Sequence, residues 1–216
     1  MVKPLHHHST RRTLLWLALA ACAGLLAACG SSPRATATVP ATPRPSDNTA
    51  APSQIAAEYL PGLSAQLRFP VADKPAPLIV LVPGGGWSSA DPTGLIPLAR
   101  LLTDAGSTTA LITYSTTGDG TTFPEGVDDV ACAVRWSASQ ASSLGHTPTR
   151  VIVLGHSAGG HLAALVTFSG EEFGRECPDP PVDIDGLIGL AGIYDTGPFR
   201  AFMSPWMGIS PTEHPE

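Results

Sequence analysis

One serine of this chain stands in a setting that suits nucleophilic chemistry. Ser157 lies in the pentapeptide Gly155–Gly159 (G-H-S-A-G), between the apolar, β-branched run Val151–Leu154 and the helix-like segment His161–Phe168. This order predicts a sharp turn that joins a buried strand to a helix and presents the serine at its apex. Glycines flank the serine because such a turn brings backbone segments too close together for Cβ atoms. We therefore predict that Ser157 is a catalytic nucleophile.

Acyl transfer at a serine also requires a base and hydrogen-bond donors for the developing oxyanion. Residues 84–86 are three consecutive glycines after the apolar run Leu78–Val82, and they can turn bare N–H groups toward one point. The N–H group of Ala158, directly after the nucleophile at a helix N-terminus, is the natural further donor. We predict that Gly85, Gly86 and Ala158 form an oxyanion hole. The alternative for the glycines alone is a tight turn.

Alternating strands and helices must position these groups. The run Leu78–Val82 is continuously apolar, as in a strand that is covered on both faces. Further strands are predicted at 65–69, as an outer strand, at 108–114, at 151–154 and within 184–193, and helices at 95–105 and 124–142. This alternation indicates an α/β fold with a mostly parallel sheet and helices on both faces.

Several motifs resemble, in order, those of α/β-hydrolases of the esterase/lipase type. Residues 83–87 (P-G-G-G-W) are similar to the H-G-G-G-W oxyanion motif of the hormone-sensitive-lipase-like branch and of its acetyl-xylan-esterase, carboxylesterase and kynurenine-formamidase-like relatives. The other matching segments are Tyr114, 123–124, 128–130, 133–136, 155–163 and 192–195. The resemblance covers about residues 65–200 and implies the α/β-hydrolase fold, ester hydrolysis and no cofactor. Pro83 replaces the usual histidine, but the expected donors are the glycines after it, so we expect the hole to be retained.

The acid and the base of a catalytic triad are less evident. The resemblance places them after further strands, in the order Ser…Asp…His, whereas this chain ends at Glu216. We therefore expect the chain to be C-terminally incomplete and to lack the last strands of the sheet. Asp195 is a candidate acid or a loop-organising carboxylate, and His214 is a candidate base or part of a variable loop. No cluster has the spacing of metal ligands, so no metal site is predicted.

The pattern of the N-terminal residues indicates a targeting segment. Arg11 and Arg12 precede the apolar stretch Leu14–Ala28, which is short for a membrane span but suits a signal peptide. Residues 26–32 (L-A-A-C-G-S-S) resemble the lipobox of bacterial lipoproteins. This resemblance implies cleavage before Cys29, lipidation of Cys29 and an extracytoplasmic, membrane-anchored protein. An ordinary secretory signal is the alternative, and the two arginines also resemble a twin-arginine export signal.

Three segments follow along the chain. We predict a signal peptide at 1–28 and a tether rich in Pro, Ser, Thr and Ala at 29–54, since that composition cannot bury a core. An α/β-hydrolase domain follows at 55–216. The 216-residue chain is 43% hydrophobic and 14% charged, which suits one globular domain with appendages. Loss of the signal peptide leaves nine basic against 18 acidic residues and no basic run, so nucleic-acid binding is not expected.

Two cysteines, Cys132 and Cys177, lie within the predicted domain. Outside the cytoplasm such cysteines often pair. The apolar stripe of the 124–142 helix leaves Cys132 off the buried face, where it could reach the loop that holds Cys177. A disulfide is the hypothesis, and two free thiols are the alternative.

These features together predict a serine hydrolase, tethered to a bacterial membrane by its lipid. It would cleave small-molecule carboxylic esters with small or moderately sized acyl groups through an acyl-enzyme intermediate. The alternatives are an amidase or formamidase on the same scaffold and a non-catalytic envelope lipoprotein that lacks a complete triad.

Overall fold

A computed structural model describes residues 53–71 and 74–209. The strands are β1 (Gln54–Leu60), β2 (Leu63–Arg68), β3 (Leu78–Val82), β4 (Thr108–Ile112), β5 (Val151–His156) and β6 (Gly186–Leu190). The α-helices are α1 (Ile96–Asp104), α2 (Glu125–Ser143), α3 (Ala158–Phe168) and α4 (Arg200–Met203). The predicted signal peptide, Cys29, most of the predicted tether and His214 lie outside the described residues.

The six strands form one sheet in the order β1-β2-β4-β3-β5-β6. Strands β4, β3, β5 and β6 are parallel to one another, whereas β1 and β2 are antiparallel additions at one side. The prediction of a mostly parallel sheet is confirmed. Strand β1 was not predicted, and it lies outside β2 on the side where β2 was expected to be the outer strand.

Helices cover both faces of this sheet, as predicted. On one face, Ile79 and Leu81 of β3 pack with Leu111 and Leu154 against Ala99 of α1. On the other face, alternate residues of the same strands pack against α2 and α3; this larger core includes Val80, Val82, Val153, Val127, Val130, Val134 and Leu162. All five residues of β3 are buried, which explains its continuous apolar run.

The loop after α3 is fastened to α2 by several bonds. Cys132 and Cys177 form a disulfide. The N–H group of Gly174 donates to Asp128 at 2.6 Å, and the guanidinium of Arg135 donates to the carbonyl of Gly174 at 2.6 Å. Because this loop covers the helix, Cys132 is only 6% exposed. The prediction that Cys132 lies off the buried face is therefore wrong, although it does reach the loop.

The start of α2 is bonded to the segment that follows β4. The buried carboxylate of Asp129 accepts a hydrogen bond of 2.8 Å from the N–H group of Ser115, after β4. Burial raises the pKa of Asp129, the nearby carboxylates of Glu125 and Asp128 raise it further, and the hydrogen bond from Ser115 opposes this shift. Asp129 thus ties the segment after β4 to α2.

None of the helices within residues 53–71 and 74–209 combines the length and apolar character that a bilayer crossing requires.

Candidate active site

Ser157 occupies the turn between β5 and α3. Its backbone has φ = 51° and ψ = −122°, a strained conformation for a residue that carries a Cβ atom. The N–H group of Ser157 donates to the carbonyl of Leu190, at the end of β6, at 2.9 Å. The turn is thus held from the neighbouring strand, and the side chain of Ser157 remains partly exposed. The predicted sharp turn is present, with the serine at its apex.

The glycines around Ser157 allow backbone to lie directly against backbone. A Cβ atom on Gly155 would overlap the carbonyl of Gly159, and one on Gly159 would overlap the carbonyl oxygens of Val82 and Pro83. Neither glycine has a positive φ, so these positions require glycine for space rather than for conformation. The N-terminus of α3 therefore packs directly against the backbone at the end of β3.

The glycine loop, residues 83–87, passes beside the nucleophile. In the parallel register of β3 and β5, Val82 lies opposite Gly155, so the two chains leave the sheet side by side. A Cβ atom built on Gly84 would lie 3.0 Å from the Cβ atom of Ser157. The two motifs that were predicted to act together are therefore adjacent.

Hydrogen bonds hold three of the five carbonyl groups of this loop. The hydroxyl of Tyr114 donates to the carbonyl of Pro83 at 2.9 Å, and burial raises the pKa of Tyr114, which keeps this hydroxyl protonated. Ser88 donates to the carbonyl of Gly85 through its N–H group at 3.1 Å and its hydroxyl at 3.0 Å. The N–H group of Thr117 donates to the carbonyl of Trp87 at 2.9 Å. Pro83 is therefore compatible with an ordered loop.

Three backbone N–H groups around Ser157 are the candidate oxyanion donors. Within the described residues, those of Gly85, Gly86 and Ala158 donate to no protein acceptor. Gly85 has φ = 146° and Gly86 has φ = 60°, conformations that L side chains rarely adopt. Ala158 is the first residue of α3, where an unpaired N–H group and the helix dipole both favour an anion. These groups lie on the segments that flank Ser157, and an arrangement of this kind can stabilise an oxyanion that forms on an acylating serine.

No acid or base is joined to Ser157 by a hydrogen bond in the part of the chain that the structure describes. Asp195 accepts a hydrogen bond of 3.1 Å from the N–H group of Gly197, which organises its own exposed loop. His146 stacks on Phe69, with ring centroids 4.4 Å apart. His214, the candidate base, lies outside the described residues.

An aromatic cluster packs around Trp87, at the end of the glycine loop. Trp87, with φ = 57°, is 1% exposed and stacks on Trp206, the ring centroids being 5.5 Å apart. His161, one turn after Ser157, makes edge contacts with both tryptophans. Burial lowers the pKa of His161, so this imidazole is neutral near pH 7.

A cavity of about 530 Å³ opens beside this cluster. Its walls are mainly apolar, and His161, Met203 and Trp206 contribute to them, together with Arg200. Phe202, on the same short helix as Met203, reaches back toward the glycine loop: a Cβ atom on Gly86 would lie 3.1 Å from its ring. The residues after β6 are thus close to the predicted oxyanion donors, although no local motif marks them.

Comparison with known proteins places this site in a family context. The sequence model of the BD-FAE family matches residues 67–205, which include the glycine loop, Ser157 and Asp195. Esterase LipC of Mycobacterium tuberculosis is 32% identical over 127 residues, which cover 56% of this chain and 31% of that protein. Carboxylesterase NlhH of the same species is 32% identical over 114 residues, which cover 52% of this chain and 34% of that protein.

Solved structures show the same fold. A thermophilic esterase from Thermogutta terrifontis, Est2, superposes with a TM-score of 0.54 at 24% identity, over 69% of this chain and 59% of that protein. A bacterial heroin esterase superposes with a TM-score of 0.53 at 24% identity, over 66% of this chain and 44% of that protein. The predicted α/β-hydrolase fold is confirmed by these likenesses. The chain spans about a third of the length of the curated relatives that it matches.

Proposed function

Because the chain belongs to the BD-FAE family, within the esterase and lipase α/β-hydrolases, we propose that the full-length protein is a serine hydrolase that cleaves carboxylic esters. The observation that carries this proposal is the position of Ser157. It lies at a strained turn with φ = 51°, beside the N–H groups of Gly85, Gly86 and Ala158, which donate to no protein acceptor within the described residues. The names of the relatives LipC and NlhH, an esterase and a carboxylesterase, support the same reaction.

The reaction would proceed in two steps. Ser157 Oγ attacks the ester carbonyl while a general base takes its proton, and the carbonyl oxygen becomes an oxyanion. The N–H groups of Gly85, Gly86 and Ala158 donate to this oxyanion. Collapse of the intermediate breaks the bond to the alcohol, which leaves with the proton, and Ser157 remains acylated. Water then attacks the acyl-enzyme by the same route and releases the carboxylic acid.

Hydrolysis of p-nitrophenyl acetate and butyrate by the full-length protein tests this proposal. Ser157→Ala is expected to lower kcat by at least about 10³-fold, because loss of a catalytic serine removes the covalent route. Ser143→Ala is the matched control, since Ser143 is exposed at the C-terminus of α2 and donates only within that helix, to the carbonyl of Gln140. Circular dichroism would show that both variants fold. Unchanged turnover in Ser157→Ala would refute the assignment.

Labelling with a fluorophosphonate probe separates an enzyme from a binding protein on this fold, because only an activated serine reacts readily. The expected result is one labelled site, lost in Ser157→Ala and retained in Ser143→Ala. A folded protein that neither labels nor turns over would instead support a non-catalytic role. A parallel panel of anilides and formamides tests amide cleavage, and faster turnover of these than of the esters would favour an amidase.

We also propose that the protein is exported and lipidated at Cys29, on the strength of the sequence L-A-A-C-G-S-S at 26–32. Bacteria that express the protein should incorporate labelled palmitate into it, and Cys29→Ser should abolish the incorporation. Cys22→Ser is the control, because Cys22 lies within the apolar part of the predicted signal. Equal labelling of wild type and Cys29→Ser would refute lipidation at this residue.

A further inference from the structure

The turn at residues 116–121, between β4 and α2, is held by several hydrogen bonds within itself. Thr116 and Asp119 form a capping box, in which the N–H group of Asp119 donates to the Thr116 hydroxyl and the N–H group of Thr116 donates to the Asp119 carboxylate at 3.0 Å. The Thr116 hydroxyl also donates to that carboxylate at 2.8 Å, and Asp119 N–H also donates to the Thr116 carbonyl at 2.9 Å. The hydroxyl of Thr121 donates to the same carbonyl at 2.9 Å. We call residues 116–121 the threonine turn. Its shape is set by its own hydrogen bonds.

The threonine turn rests against the far end of the glycine loop. Thr117 donates to the carbonyl of Trp87 twice, from its N–H group at 2.9 Å and from its hydroxyl at 3.3 Å. Gly118 lies against the next residue, because a Cβ atom on Gly118 would come within 2.6 Å of the carbonyl oxygen of Ser88. The turn therefore contacts two consecutive peptide groups, those after Trp87 and after Ser88.

These two contacts act on the residues that shape the oxyanion donors. Trp87 adopts φ = 57°, which is uncommon for a bulky side chain and persists only where the surroundings hold it. Ser88 in turn donates two hydrogen bonds to the carbonyl of Gly85. Because the Gly85 carbonyl and the Gly86 N–H group belong to one peptide, a shift of Ser88 would reorient the Gly86 donor and disturb the adjoining peptide that carries the Gly85 donor. Neither N–H group has a protein acceptor among the described residues.

The threonine turn is itself anchored to the core. Ser115, the residue before it, donates its N–H group to the buried carboxylate of Asp129 on α2 at 2.8 Å. Tyr114, one residue earlier, donates its hydroxyl to the carbonyl of Pro83, at the near end of the glycine loop. The segment after β4 thus forms hydrogen bonds to both ends of the glycine loop, from Tyr114 and from Thr117. Between these two residues, Ser115 bonds the segment to α2.

We propose that Thr117 and Gly118 are positioning residues for ester hydrolysis. They do not touch the reacting atoms; they hold Trp87 and Ser88 so that the N–H groups of Gly85 and Gly86 are aimed at the oxyanion. This inference rests on the proposed function, because it assigns a role within the same reaction. A misplacement of about 1 Å in a catalytic constellation can cost about 10²-fold in rate.

Gly118→Ala tests the steric part of the proposal in the full-length protein. The Gly118 φ is not in the left-handed region, so the added methyl group acts through its contacts, which are 2.6 Å to the carbonyl oxygen of Ser88 and 3.3 Å to the hydroxyl of Thr116. Relieving a 2.6 Å contact requires a shift of less than about 1 Å, so we expect kcat for p-nitrophenyl butyrate to fall roughly tenfold with KM changed less than about twofold. Gly94→Ala is the matched control, since Gly94 is exposed, has no positive φ and would place its Cβ atom in open space.

Thr117→Val and Thr117→Ser test the hydrogen bond. Valine keeps the shape and the N–H donor but removes the hydroxyl donor to Trp87, so kcat should fall severalfold, and serine should restore it. Thr147→Val, in the exposed loop before β5, is the control for the same change elsewhere. If Gly118→Ala fails to fold, this pair still decides the question.

The outcomes separate this inference from the proposed function. Wild-type protein with no esterase activity would remove the basis for both. Active wild type together with full kcat in Gly118→Ala and Thr117→Val would refute the positioning role and leave the esterase assignment intact. A loss of thermal stability without a loss of kcat would show that the threonine turn serves folding alone, and would equally overturn the proposal.

Discussion

Removal of the disulfide between Cys132 and Cys177 should destabilise the domain mainly through its unfolded state. The bridge closes a loop with a sequence separation of 45 residues. The chain-entropy relation for a loop of this length gives about 4 kcal/mol at 25 °C. The native loop is held independently by Asp128 and Arg135, so the double variant Cys132→Ser/Cys177→Ser should keep its native contacts. For a protein of this size, about 4 kcal/mol corresponds to a fall in Tm of roughly 8–16 °C.

Urea unfolding of the full-length protein, followed by circular dichroism with and without dithiothreitol, measures this effect. Reductant should lower the unfolding midpoint of wild type to that of the double variant and should leave the midpoint of the double variant unchanged. The slope of the unfolding free energy against urea should rise in the double variant, because an unbridged chain exposes more surface when it unfolds.

A loss smaller than about 1 kcal/mol in the double variant would refute the chain-entropy reasoning. It would mean that the unfolded chain keeps residues 132–177 close together without the bridge. A much larger loss, above about 6 kcal/mol, would contradict it differently. The native loop would then depend on the disulfide, and the hydrogen bonds from Arg135 and to Asp128 would not hold it alone.

Two further predictions concern the turn at Ser157 and the buried imidazole of His161. Gly159→Ala should lower the free energy of unfolding by about 1–3 kcal/mol and reduce fluorophosphonate labelling, because the added Cβ atom overlaps the carbonyls of Val82 and Pro83. The control is Gly186→Ala, whose Cβ atom meets open space, so its stability in urea unfolding should stay within about 0.5 kcal/mol of wild type. Equal stability of the two variants would contradict the packing described for Gly159. Burial holds the pKa of His161 below its ordinary value of 6.5, so the unfolded chain binds the proton more readily and wild-type stability should fall as pH drops below about 6.5. The fall should be shallower in His161→Gln, and parallel pH profiles from pH 8 to 5 would show that this imidazole does not contribute.

The sequence was most informative where one short segment carries its own pattern. Strands β3 and β5 and the turn at Ser157 were predicted because apolar runs and glycines are local signals. Strand β1 was missed because only one of its seven residues, Tyr59, is fully buried, so it has no strong periodicity. Its order comes from pairing with β2, and such pairing is not visible in the segment alone.

The contacts that hold the candidate site were not predictable in the same way. Tyr114 and Thr117 bond to the glycine loop across sequence separations of 31 and 30 residues. The carboxylate of Asp128 accepts a hydrogen bond from the N–H group of Gly174, which is 46 residues away. A local motif identifies the residues that react, whereas the residues that hold them in position come from distant segments without a recognisable pattern.

The unpaired N–H groups beside Ser157 have a consequence for how the site responds to its surroundings. They form an electropositive patch from backbone dipoles of Gly85, Gly86 and Ala158, with no lysine, arginine or protonated histidine among them. A patch of this kind has no proton to lose, so its attraction for a carboxylate does not disappear at alkaline pH. Under the proposed function, a carboxylic acid released at Ser157 would leave as an anion from a group of donors that favours negative charge, so closer alignment of these donors would also slow the release of product.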